Sequence, residues 1–144
     1  MDTADSKDIP FLKELHFKAT HNFGICSFGI TISDGQYLGS RLKEPSKVQV
    51  PRNVKRAEIS FFRDERYVYN ISFYTHDGKV IRLRENNAAF GPGRTEVVDL
   101  RADEVLLGCE IECGIPLHTN PDAYGVTWLI WRPLGQETQE TGTP

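Results

Sequence analysis

The chain is short of cysteine, of net charge and of long apolar runs, and each shortage removes a class of protein. Its three cysteines, Cys26, Cys109 and Cys113, are an odd number in 144 residues, which favours reduced thiols over a disulfide framework. A net charge of -3 and a pI near 5.8 give no electrostatic footprint for nucleic acid or an anionic membrane. No apolar stretch approaches the roughly 20 residues that span a bilayer as a helix, so no membrane insertion is expected. The opening Met1-Asp-Thr-Ala-Asp-Ser-Lys-Asp8 lacks the apolar segment of a secretory signal, and a cytoplasmic chain is expected. Long helical segments alternating with strands are also missing, which argues against parallel α/β folds and the usual nucleotide-binding architectures.

What remains is a composition of 39% apolar and 26% charged residues, enough for one domain with a real core. That domain is expected over residues 9–134. Residues 1–8 form an expected disordered lead, and 135–144, which hold no apolar residue, an expected disordered tail.

Within the domain the dominant period is two. A short helix is predicted from Asp8 to His16, with Asp8 as cap, Pro10 in the first turn and Leu12 and Leu15 on one side. From Phe23 onward Ile25, Phe28, Ile30 and Ile32 read as a half-buried strand, ended by Ser33-Asp34-Gly35. Gln36 to Leu42 and Lys47 to Val50 are weaker strands bounded by Pro45 and Pro51. Arg56 to Arg63 and Tyr67 to Thr75 follow, the latter with Tyr67, Tyr69, Ile71 and Phe73 on one face and Val68, Asn70, Ser72 and Tyr74 on the other. Asp77-Gly78 predicts a two-residue hairpin turn into Val80 to Leu83. Thr95 to Leu100, Val105 to Cys113 and Gly125 to Arg132 complete eight to ten strands, and Trp128 and Trp131 have opposite parity on the last of them. An all-β, antiparallel fold follows. A loosely similar unit occurs twice, as Arg56-Ala-Glu58-Ile59 with Arg63-Asp64-Glu65, and as Arg94-Thr-Glu96-Val97 with Arg101-Ala-Asp103-Glu104, which suggests stacked sheets with pseudo-symmetry.

Ile59-Ser-Phe61, Tyr69-Asn-Ile71-Ser-Phe73, the glycine loop Gly91 to Gly93, Glu96-Val-Val-Asp-Leu100, Asp103-Glu104 and Leu107-Gly108 together resemble part of a jacalin-related lectin domain, over about residues 54–114. The resemblance implies a β-prism of three Greek-key sheets related by pseudo-threefold symmetry; a β-sandwich is the alternative. It also implies binding of mannose- or galactose-type sugars through loops at one end of the prism, including a Gly-x-x-x-Asp loop. The nearest spacing here, Gly108-Cys-Glu-Ile-Glu112, falls inside a predicted strand, so no sugar-binding residue is carried over.

Residues that could carry chemistry are few. Cys109, Cys113 and His118 supply three soft ligands, but 109 and 113 lie about 13 Å apart on an extended strand, and no metal site is expected. The four histidines, His16, His21, His76 and His118, sit in no setting that activates a nucleophile, and His76 reads as a solvated turn residue. Gly91-Pro-Gly-Arg94 lacks the ending of a phosphate loop. Glu110 and Glu112 project to one face of a strand, as two acids of a glycosidase would. Asn120, Asp122 and Tyr124 share one loop whose residue types suit a glycan, with Asn86 and Asn87 as a second candidate loop. The expectation is a non-catalytic interaction module without cofactor, binding a protein or a glycan through loop ends or an exposed sheet face. The alternative is a small glycosidase-like hydrolase using Glu110 and Glu112 or a site centred on His118.

Overall fold

In the computed structural model, residues 8–19, 25–39, 43–61, 68–84, 93–113 and 123–133 are described. They form ten strands: β1 (Leu12–Ala19), β2 (Ile25–Ile32), β3 (Tyr37–Gly39), β4 (Ser46–Gln49), β5 (Val54–Phe61), β6 (Val68–Thr75), β7 (Val80–Arg82), β8 (Thr95–Asp99), β9 (Val105–Cys113) and β10 (Ala123–Trp131). All pairings are antiparallel. The expected all-β class is borne out. Among the described residues no helix is long and apolar enough to cross a membrane.

Two sheets have four strands each, in the orders β3-β2-β1-β4 and β7-β6-β5-β8, and β9 pairs with β10. Three consecutive strands with the fourth returning beside the first make a Greek key. Both four-stranded sheets are therefore the same motif, and the β9–β10 hairpin repeats its first two strands. The sheets share one core: Leu15, Phe17 and Ile30 from the first, Ile59, Ile71 and Phe73 from the second, and Leu106 and Cys109 from the third are all buried in a single cluster. Three sheets around one core are a prism rather than a two-layer sandwich.

The register shows how closely the three units repeat. In each first strand one extra residue sits just after the buried opening position: Lys13 after Leu12, Lys55 after Val54, Leu107 after Leu106. In each second strand one extra residue follows close to its start: Cys26, Tyr69 and Tyr124. Such β-bulges bend and twist a strand, and placing two at matching positions curves each hairpin alike around the shared core. Aligned this way, Leu15, Ala57 and Cys109 are equivalent buried residues, and Phe17, Ile59 and the partly buried Ile111 correspond further along the inner face.

This symmetry differs from the one read in the sequence. The Arg56 and Arg94 segments are not equivalent units; they are neighbours in one sheet, β5 and β8, with Glu58 opposite Val97 and Ile59 opposite Glu96. Antiparallel partners on a shared surface select similar residue types, which imitates a repeat. The predicted helix from Asp8 to His16 is also replaced, by β1. Leu12 and Leu15 are three apart, which suggests a helix; in a strand the bulge at Lys13 restores both to the inner face.

The Asp77-Gly78 hairpin is present, with Tyr74 opposite Val80, but its loop has three residues. Thr75 N donates to Lys79 O and Gly78 N to Thr75 O, and of the loop residues only Gly78 has a positive φ, of 93°. That is a turn closed by a left-handed glycine. The Ser33-Asp34-Gly35 turn after β2 repeats it, with Gly35 N donating to Ile32 O.

Buried polar groups find specific partners. Asn70, on β6, accepts from Arg84 N through Oδ1 and donates through Nδ2 to Arg84 O, each at 3.0 Å, so its amide extends the β6–β7 ladder by one step. Glu104 is almost fully buried, accepting from Arg101 N at 2.7 Å and pairing with Arg132 Nε at 2.8 Å. It clasps the start of β9 to the end of β10.

Candidate functional site

Turns gather at the end of the prism where β1, β5 and β9 begin. Arg52, in the turn before β5, donates through Nη1 to Ile9 O at 3.1 Å and lies 5.5 Å from the centre of the Phe11 ring, joining that turn to the approach of β1. His76 N donates to Asn53 O at 3.0 Å, joining the β6–β7 loop to the turn before β5. Asn53 Nδ2 in turn donates to Asp77 at 3.2 Å. The Asp77 carboxylate also accepts from the Thr75 hydroxyl, and these bonds, the Thr75 one foremost, hold it below the usual carboxylate range.

Two hollows open here. The larger, about 460 Å³, is a broad cleft lined by Lys55, Arg56, Tyr74, His76, Asp99 and Leu100. The smaller, about 100 Å³, lies beside it under Arg52, Asn53, His76, Ala102 and Glu104, and His76 stands on the wall of both. Sequence position alone separates these residues by up to 52 places, from Arg52 to Glu104. The bulge at Lys55, the end of β6 and the end of β8 bring the larger set together, with Arg56 directly opposite Tyr74 on one side and Asp99 on the other.

The chemistry of the larger cleft is polar and open. Arg56 Nε donates to Asp99 Oδ1 at 2.8 Å, with both side chains about half exposed or more. Exposed pairs of this kind contribute little to stability, so stability does not explain the placement. Tyr74 donates its hydroxyl to Glu58 at 3.2 Å, which fixes the ring beside the cleft. The lining therefore offers cationic donors, a carboxylate acceptor and an aromatic edge, and among the described residues it contains neither serine nor cysteine as a nucleophile.

The residues singled out in the sequence are distributed elsewhere. Asn86, Asn87, Asn120, Asp122 and His118 lie outside the described residues. Tyr124 is the bulged residue near the start of β10 and is exposed, at the end of the hairpin remote from the cleft. Glu110 and Glu112 are exposed on the outer face of β9, opposite Thr127 and Gly125, and line neither hollow. Cys109 is buried, and burial pushes its thiol up to about 12, which keeps it protonated and unreactive near neutral pH. Trp128 packs edge-on against Phe73, with ring centres 5.8 Å apart, while Trp131 lies on the opposite side of the strand and is partly exposed.

The sequence reading missed Arg56, Tyr74, His76 and Asp99 as a set. His76 carried the one local signal, a histidine beside a tight turn; the others become neighbours only through strand register.

No family model matches the chain, and no curated protein matches it. Among solved structures the chain is similar to that of PirB, with a TM-score of 0.57 at 12% sequence identity, over 94% of this chain and 31% of PirB. The chain thus spans about a third of PirB's length. At that identity the likeness concerns the fold alone.

Proposed function

We propose that this chain is a non-catalytic interaction module of the cytoplasm that binds a glycan or a protein surface at the turn-bearing end of its prism. The observation that carries the reading is the broad cleft in which the exposed Arg56–Asp99 pair, Tyr74 and His76 face a common space. Sugar hydroxyls and polar protein side chains both take up bidentate donors and acceptors beside an aromatic edge, and an open cleft suits an extended surface. The resemblance to jacalin-related lectins supports the glycan arm, although the contact residues differ from the loop residues that resemblance suggested.

Glycan-array binding by the wild type, reduced about tenfold or more by Arg56→Ala and unchanged by Asp122→Ala, is the expected result. An array that is negative at high protein concentration removes the glycan arm. Binding lost with Asp122→Ala and kept with Arg56→Ala moves the site to the Asn120 loop and overturns this placement.

A further inference from the structure

The repeat shows what normally covers one edge of each unit. In the first two units the first strand is flanked on both sides: β1 by β2 and β4, β5 by β6 and β8. The fourth strand lies in matching register each time, with Val48 opposite Leu15 and Val98 opposite Ala57, and both valines pack against the core. It is closed by the same hydrogen bond, Val50 N to Lys13 O and Leu100 N to Lys55 O, each 2.8 Å. In the third unit, among the described residues, β9 pairs only with β10. The groups equivalent to those that hold β4 and β8 are the carbonyl of Leu107 and the main-chain groups of Cys109 and Ile111.

We infer that this edge of β9 is a docking site for an extended segment of a partner polypeptide, which adds antiparallel as the fourth strand of the third sheet. Strand addition of this kind draws affinity from main-chain bonds and specificity from alternate side chains. The two complete units specify those side chains: a branched aliphatic residue facing inward opposite Cys109 and a second one two positions on, as in Val48 with Val50 and Val98 with Leu100. Glu110 and Glu112 face outward along the same edge, so lysine or arginine one and three positions before the first aliphatic residue, where it lies opposite them, is complementary.

Charge also separates this occupant from the others. A second copy pairing β9 with β9 antiparallel sets Glu110 against Glu112 in a register centred on Ile111, and in the register centred on Cys109 it places another Cys109, not a branched aliphatic residue, opposite Cys109. Within this chain, Met1 to Lys7 has only Met1 and Ala4 as apolar residues and Gly135 to Pro144 has none, so neither offers the alternating aliphatic pair; Ile115 and Leu117 have that spacing but follow Gly114 and Glu112, not a lysine or arginine. The site is distinct from the cleft and goes beyond the function proposed for it.

The chain's own fourth strand supplies the probe. A capped synthetic peptide with the sequence of residues 45–51, Pro-Ser-Lys-Val-Gln-Val-Pro, sets Val48 opposite Cys109 and Lys47 opposite Glu110 in the equivalent register. Titrated into the full ¹⁵N-labelled chain, it is expected to saturate, with the largest shifts and new exchange protection at the amides of Cys109 and Ile111. Val48→Asp in the peptide should weaken binding about tenfold or more. Lys47→Glu in the peptide should weaken it several-fold, and Glu110→Lys in the protein should reverse that preference while leaving the free protein's spectrum otherwise intact. Arg56→Ala should leave peptide binding unchanged, which separates this edge from the cleft. Absence of binding at millimolar peptide, shifts centred elsewhere, or amides of Cys109 and Ile111 already protected in the peptide-free protein would each overturn the inference; in the last case, concentration dependence would assign the edge to a second copy and its absence to a segment of this chain.

Discussion

Asn70, Asp77 and Cys109 each do something their residue type alone does not announce. Asn70 is buried on the strand face that sequence parity assigned to it, yet its amide serves as a strand backbone for Arg84. Asn70→Ala leaves both main-chain groups of Arg84 without that partner, and denaturant unfolding should register a loss of about 2 kcal/mol. Asn70→Asp removes the donor while keeping an acceptor and should cost a comparable amount. Asp77 works through charge: its carboxylate is held below its ordinary range by Thr75 and Asn53. A lowered folded-state value means that the stabilisation is present above the unfolded value and is lost as pH falls through the folded one. Wild type should therefore lose stability below about pH 4 with a component that Asp77→Asn lacks, measurable by comparing thermal midpoints of the two proteins from pH 6 downward. Cys109 should resist alkylation in the folded protein at pH 8 and react once denatured, as mass mapping of its peptide would show.

At the scale of the strand, the bulges govern what could be read beforehand. Period two located β2, β6, β9 and β10 within a few residues because each carries its bulge near its start and keeps a run of regular pairing beyond it. It failed at β1, where Lys13 inserts one residue and turns alternating burial into the three-residue spacing of a helix. The same insertion at Lys55 aims Arg56 into the cleft between Tyr74 and Asp99. Shifting a strand by one residue exchanges its inner and outer faces. Deleting Lys55 should thus do more than shorten a loop: it should misalign Val54 with the rest of β5 and lower the melting temperature markedly, while also abolishing cleft binding. Glu104 acts at this scale too, joining β9 to the residue after β10 through Arg101 and Arg132. Because it is buried and the arginines are partly exposed, Glu104→Ala should cost about 2–3 kcal/mol, with Glu104→Gln milder.

For the molecule as a whole, three copies of one hairpin, two of them completed to Greek keys, enclose a single core. The fold class was legible in the sequence because burial on a sheet leaves a direct trace in side-chain alternation. The true repeat was not, because equivalence resides in register and bulge position: Leu12, Val54 and Leu106 correspond structurally at spacings of 42 and 52 residues while sharing little but apolarity. The cleft was illegible for a related reason. Arg56, Tyr74 and Asp99 lie on three strands, and no short motif records that those strands are adjacent.

The placement of recognition at the turn-bearing end is tested most directly by a chemical-shift map of the ¹⁵N-labelled chain titrated with the strongest ligand from a glycan array. The account predicts saturable shifts concentrated at Lys55, Arg56, Tyr74, His76 and Asp99, with the ligand recovered unchanged. Shifts concentrated at Tyr124 or along Glu110 and Glu112, or conversion of the ligand to hydrolysis products, would contradict it.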